Sequence, residues 1–172
     1  MNVEHWIVYD AESGDVRWRG SGTAGSSAWQ QLPGGAALIV VPQAVIAGQD
    51  IDLDALRAAL AAEVDAMAER VRSFFLTPGA GQAMTYQRKE AEARAWTADN
   101  SVAMPFLSAE APARGMTIAA LAAEVIHLAD AWTSTGAAIE GMRMGAKAAI
   151  AAADNLGAIV AASKVNWTAL NG

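Results

Sequence analysis

The sequence contains no cysteine and only two histidines, His5 and His127. The first absence removes disulfides, thiolate nucleophiles and thiolate metal sites together. The second leaves little for an imidazole site. His127 has Asp130 three residues on but no second histidine at the fourth position, and one partner does not make a metal centre. Aromatic residues make up 6% of the chain although hydrophobic residues make up 53%, so most of the apolar content is alanine. Positive charge is in deficit, with a net charge of −6 and basic residues scattered along the chain. That balance argues against a dedicated nucleic-acid binder, because phosphate binding needs a basic surface. A basic n-region is not found at the start of this sequence either. The first residues, MNVEHWIVYDAESG, carry Glu4 and Asp10 and are not expected to act as a signal peptide. Residues 21–49 are uncharged, but their Gly, Ser, Gln and Pro content is unsuited to a membrane span, and no membrane anchor is expected.

What remains is an alanine-rich chain of 172 residues, long enough to bury a core as one domain or one domain with a small appendage. The pattern predicts an α+β protein. A small N-terminal antiparallel β unit over residues 1–47 precedes an alanine-rich helical hairpin bundle over 48–165, with a C-terminal tail over 166–172. Residues 3–9 are β-branched and aromatic, 10–15 supply turn chemistry, and 16–20 alternate, which reads as a hairpin with one wet face. Residues 20–27 read as a flexible loop of small residues, and 36–41 as a third strand ended by Pro42. Two or three strands alone are marginal, so this unit must lean on the helices behind it or on another chain.

A first helix is expected over residues 52–76, capped by Asp50 or Asp52, with the stripe Leu56, Leu60, Val64, Met67, Val71 and Phe74 at spacings of four, four, three, four and three. That stripe is either intramolecular core or an inter-subunit coiled coil. Thr77-Pro78-Gly79 should break it, and Pro78 should end this helix or start the next. A second helix over 81–98 has a thin apolar face of Met84, Ala91 and Ala95. An irregular link containing Pro105 and Pro112 follows. Thr117 should cap a third helix with the stripe Ile118, Leu121, Val125, Leu128 and Trp132, ended by Gly136. A fourth helical segment covers 137–163, where Gly157 permits a kink or an early end, and Gly141, Gly145 and Ala149 form a strip of small residues.

The order of these parts resembles a known family. VYDAESGDVRWRGSG leads to QLPGGAALIVVPQAV, then FFLTPGAGQAMTYQRKEAEARAW, PFLSAEAPARGMTIAALAAEVI and AAIEGMRMGAKAAIAAA. Together they resemble small tail-associated proteins of tailed bacteriophages, found near tail-fibre and baseplate genes. The resemblance covers nearly the whole chain, and TPGAGQAMTY, residues 77–86, is its most specific piece. It implies a structural virion protein of the tail (tip, baseplate or tail-fibre attachment) that acts by protein–protein assembly and is not an enzyme. Two alternatives stay open: a tail-fibre assembly chaperone absent from the mature particle, and a tail-tip hydrolase. The implied partners are other tail proteins and further copies in a symmetric homo-oligomer, with a trimer favoured. The implied location is the virion tail, after synthesis in the host cytoplasm. The resemblance carries over no catalytic residue, cofactor or metal ligand.

The remaining chemical motifs are weak. Glu90 and Glu92 lie two apart on a helix and point different ways, with Arg94 placed to pair with Glu90, so a solvated face outweighs acid–base chemistry. Gly79-x-Gly81 precedes a helix but lacks the Lys-Ser/Thr ending of a phosphate loop, and an interhelical turn explains it better. Six tryptophans stand out in a chain poor in other aromatics. Packing outweighs glycan binding for them, though a host glycan remains a conceivable ligand. The candidate interface and packing residues are Trp6, Trp18, Trp29, Leu56, Leu60, Val64, Met67, Val71 and Phe74.

Overall fold

The β-branched and aromatic run near the start of the chain forms strand β1, Val3–Asp10, in the computed structural model, which describes residues 3–77 and 79–171. Strands β2, Val16–Thr23, and β3, Ala36–Val41, pair antiparallel on either side of it, in the order β2-β1-β3. The first turn is closed by Asp10, whose Oδ1 accepts from the Glu12 and Ser13 N–H groups at 3.0 Å each. Helices α1, Gln43–Ile46; α2, Leu53–Ser73; α3, Ala80–Ala98; α4, Pro105–Ala113; α5, Ile118–Ala152; and α6, Leu156–Ser163, make up most of the rest. The protein is therefore α+β, a small antiparallel sheet followed by mostly helical chain. It divides into two compact units, Met1–Glu69 with Glu140–Gly172, and Arg70–Ile139. Cores organise the chain differently from the linear division at 47 and 165, because the sheet shares its core with helices from both ends of the sequence.

In the first unit, Ile7 and Tyr9 of β1 and Val41 of β3 face Val45 of α1, Leu56, Leu60 and Val64 of α2, Ile150 of α5, and Leu156, Ile159 and Val160 of α6. Trp167, in a short 3-10 turn at Trp167–Asn171, packs against the same core. Burying such side chains stabilises by roughly 1.5–3 kcal/mol each, which a three-stranded sheet cannot obtain from its own residues. Asp52 caps α2 by accepting from the Ala55 N–H at 2.9 Å. Arg57 of α2 donates from Nη2 to the Ala153 carbonyl at 2.7 Å, satisfying a carbonyl at the negative end of α5. Asp65 of α2 accepts from Arg143 at 2.5 Å and Lys147 at 2.6 Å, both on α5. These two cations, Lys147 foremost, hold the Asp65 carboxyl below its usual range.

The second unit has a smaller core: Ala93 of α3, Leu107 and Ala111 of α4, and Leu121 and Ala122 of α5, with Trp96, Val125 and Ile126 packed against it. Helix α4 occupies the segment expected to be irregular. Pro105 sits at its first turn, where no N–H is needed, and Pro112 lies one residue from its end. No side chain next to α4 in sequence caps it. Glu92 of α3 does so instead, its Oε2 accepting from the Phe106 and Leu107 N–H groups at 2.9 and 3.1 Å. Glu92 is thus a structural cap rather than a solvated surface acid. Thr117 caps α5 through the Ala120 N–H at 3.1 Å, as its position suggested.

Several sequence expectations are corrected. Helix α5 runs unbroken through Gly136. One glycine costs about 1 kcal/mol against alanine, too little to stop a helix flanked by good helix formers. Its small size has a use, since a Cβ there would meet the Trp132 ring at 3.3 Å. The break falls at residues 153–155, where Asn155 accepts from the Ala158 N–H at 2.9 Å and starts α6, so Gly157 lies inside a new helix. On α5, Leu128 is 59% exposed while Ala122 is buried, so the packed face is rotated away from the heptad-like stripe. On α3 the buried residue is Ala93, not Ala91 or Ala95. The strip of Gly141 and Gly145 faces open space, with nothing within 4 Å of a Cβ built at either.

Candidate interaction surface

Residues 20–27 do not form a loop throughout. Strand β2 continues to Thr23, and the two glycines there serve a packing purpose. The Trp6 ring on β1 lies across them: a Cβ at Gly20 would come within 2.6 Å of Trp6 Cε2, and one at Gly22 within 3.3 Å of Cη2. Trp6 is buried on the sheet face opposite the first unit's core, and among the described residues its Nε1 has no hydrogen-bond partner. Beside it, a 3-10 turn at Ser26–Trp29 folds over the strand. Glu4 pins this turn, accepting from the Ser27 N–H at 3.1 Å and the Ser27 hydroxyl at 2.9 Å. The Ser27 N–H, followed by its hydroxyl, lowers the pKa of Glu4. The result is that Trp29, at the end of a tethered turn, is 86% exposed. Trp18, opposite Val8 on edge strand β2, is more covered, at 38% exposure.

The α2 stripe divides along its length. Leu56, Leu60 and Val64 are buried in the first unit's core, which settles them as intramolecular packing. Ala68, not Met67, is the next buried residue, continuing the spacing of four, while Met67 is exposed. Val71 is half-buried. Phe74, just past the end of α2, is 84% exposed, and Phe75 and Leu76 are exposed beside it.

This second surface, on the second unit, is an apolar tip. Beyond α2 the chain keeps turning, with the Phe74 N–H donating to the Val71 carbonyl at 3.2 Å and Phe75 to Arg72 at 3.0 Å. Gly79 takes φ 122°, a backbone value that favours glycine, immediately before α3. Across the turn, the Tyr86 hydroxyl and the Thr77 hydroxyl are 3.0 Å apart and hydrogen-bonded. Met84 on the first turns of α3 is exposed as well. Of the TPGAGQAMTY motif, Thr77 and Gly79 lie between the helices and residues 80–86 form the start of α3. Pro78, expected to end one helix or begin the next, lies outside the described residues.

The other candidates resolve into local structure. His5 Nδ1 lies 2.6 Å from Ser21 Oγ, on the neighbouring strand, and His127 is exposed on α5. Glu90 pairs with Arg94 at 2.9 Å, and Arg94 also reaches Asp130 at 2.5 Å. Among the described residues no three His, Asp or Glu side chains converge on a common point. Trp96 packs against the second unit's core, and Trp132 lies half-buried over Gly136. Sequence reasoning found Trp29 and Phe74 but could not separate them from tryptophans and stripe residues that are buried. It missed Phe75 and Leu76, and it put Met84 on the packing face of the second helix, where the structure leaves it exposed. The signal available for them was their position against a Pro-Gly break, where a stripe has no further helix to pack on. Comparison with family models, with curated proteins and with solved structures found no match to this chain.

Proposed function

We propose that this chain is a structural component of a bacteriophage tail, at the tip, baseplate or fibre attachment, and that it works by protein–protein assembly. The resemblance built around residues 77–86 supplies the context. The observation that carries the reading is the apolar tip itself, where Phe74, Phe75, Leu76 and Met84 stand exposed on a turn tied by the Tyr86–Thr77 hydrogen bond. A turn that presents large apolar side chains in a fixed arrangement has the character of an assembly surface. Trp29, held outward by the Glu4–Ser27 contacts, offers a second anchor of the kind that dominates protein interfaces. Symmetric homo-oligomers, a trimer first among them, fit tails built on three-fold and six-fold axes.

The test is the protein inventory of purified particles of the phage that encodes the chain, by quantitative mass spectrometry. The reading expects this chain in stoichiometric, symmetric copy number. Its absence from infectious particles, with abundance in infected-cell lysate, would overturn the virion assignment in favour of an assembly chaperone.

A further inference from the structure

The stretch of sequence that carries the apolar tip is charged oppositely to the protein as a whole. The chain carries 18 acidic and 12 basic residues, yet residues 70–89 hold four basic residues, Arg70, Arg72, Arg88 and Lys89, and no acidic one. Lys89 is committed locally, 2.6 Å from Glu110 and with its Nζ 5.7 Å from the Tyr86 ring centre. Arg70 and Arg88 are exposed and form no ion pair among the described residues. Their positions are matched. Arg70 lies four residues before exposed Phe74, and Arg88 four residues after exposed Met84. On each arm of the turn a free guanidinium therefore sits about one helical turn, roughly 5.4 Å, behind an exposed apolar side chain.

We propose that this tip is a peripheral docking surface for an anionic lipid bilayer, with Phe74, Phe75 and Leu76 entering the interfacial layer and Arg70 and Arg88 meeting phosphate headgroups. Interfacial segments bury apolar side chains roughly 5–10 Å into the boundary between headgroups and acyl chains, which sets cations one turn back at headgroup level. A bilayer has no pocket to match, so consecutive apolar residues on an exposed turn suit it better than they suit a preformed protein groove. Docking of two tips from two copies in an isologous contact would bring four unpaired arginines together, and like charges disfavour it. No helix among the described residues is long and apolar enough to cross a membrane. A tip that meets a bilayer leaves Trp29 as the anchor for assembly within the virion, and the particle inventory and the vesicle assay test the two separately.

The experiment is sedimentation of the full chain with vesicles of phosphatidylglycerol and phosphatidylcholine in equal parts, against vesicles of phosphatidylcholine alone. Binding is expected to the anionic vesicles, weakening as salt rises. The double substitution Arg70→Gln with Arg88→Gln should weaken it about 25-fold, since each basic residue near an anionic surface contributes about fivefold. Phe74→Ser with Phe75→Ser should weaken it at least tenfold on the same vesicles. All four sites are exposed, and unchanged melting temperatures of the variants establish that the fold is intact. The proposal is overturned if the wild-type chain ignores anionic vesicles or if folded variants bind as the wild type does. It is also overturned if sedimentation velocity shows that the phenylalanine pair abolishes self-association while vesicle binding is unchanged, which would make a second copy the occupant of the tip.

Discussion

Gly14 and Gly157 occupy each other's side-chain space. A Cβ built on Gly157 would lie 2.8 Å from Gly14 Cα, and a Cβ on Gly14 would lie 2.8 Å from the Gly157 backbone N. The turn between β1 and β2 thus rests backbone to backbone on the first turn of α6, although 142 residues separate the two in sequence. Gly14 also takes φ +79°, a value L side chains rarely adopt.

Gly157→Ala is expected to destabilise the fold by about 1–3 kcal/mol, because backbone rather than a movable side chain must yield. Gly14→Ala should cost more, since left-handed backbone strain of about 1–2 kcal/mol adds to the clash. Gly141→Ala is the control. Its Cβ meets nothing, so the helix gains up to about 1 kcal/mol. Urea denaturation should show the largest loss in Gly14→Ala, a smaller one in Gly157→Ala and none in Gly141→Ala, and equal effects at all three positions would show that the contact is not there.

Leu60→Ala and Leu121→Ala probe the two cores separately. Each should destabilise by about 2–5 kcal/mol, the range for truncating a buried leucine. Hydrogen exchange adds a spatial readout. The first substitution should raise exchange first in the sheet and α6, the second first in α3 and α4. If both produced the same pattern, the division into two units would be wrong.

Glu92→Ala removes the acceptor for two amides at the start of α4, with an expected loss of about 1–2 kcal/mol. The signature is local. The Phe106 and Leu107 amides should exchange faster while the first unit is unaffected. Glu92→Gln, which keeps an oxygen acceptor but no charge, should fall between the variant and the wild type.

Asp10 predicts a pH dependence with a defined sign. The Ser13 N–H, then Arg17 and the Glu12 N–H, lower its pKa from the ordinary 3.8 to about 2. A carboxyl depressed in the folded state contributes stability above its unfolded pKa and loses it as pH falls through the folded value. In Asp10→Asn the melting temperature should lie below that of the wild type at neutral pH. The gap should close between about pH 4 and pH 2. A gap that stays constant across that window would mean that the carboxyl is not depressed in the folded protein, so that neither the Ser13 and Glu12 N–H groups nor Arg17 favours its charged form.

The sequence by itself determined the kinds of element and the punctuation between them. β-Branched and aromatic residues made β1 and β3, Asp52 and Thr117 capped helices as their positions implied, and Gly79 supplied the turn before α3. These are local properties, settled by backbone conformation and hydrogen bonds within a few residues. The sequence also marked the large residues of the first core, Leu56, Leu60 and Val64, because they stand out from alanine. Tertiary structure alone decided which alanines are core. Ala68, Ala93, Ala111 and Ala122 are buried while Ala91 and Ala95 are not, and a residue that favours helix on every face carries no mark of the face it will bury. The same ambiguity hid the purpose of the small residues. Gly20 makes room for Trp6, and Gly14 and Gly157 for each other, at separations no local pattern records, while Gly136 clears Trp132 one helical turn before it. The exposed tip follows the same rule in reverse. Phe74 continues an apolar stripe perfectly well in sequence, yet no helix among the described residues covers it past the end of α2, and it stands in solvent.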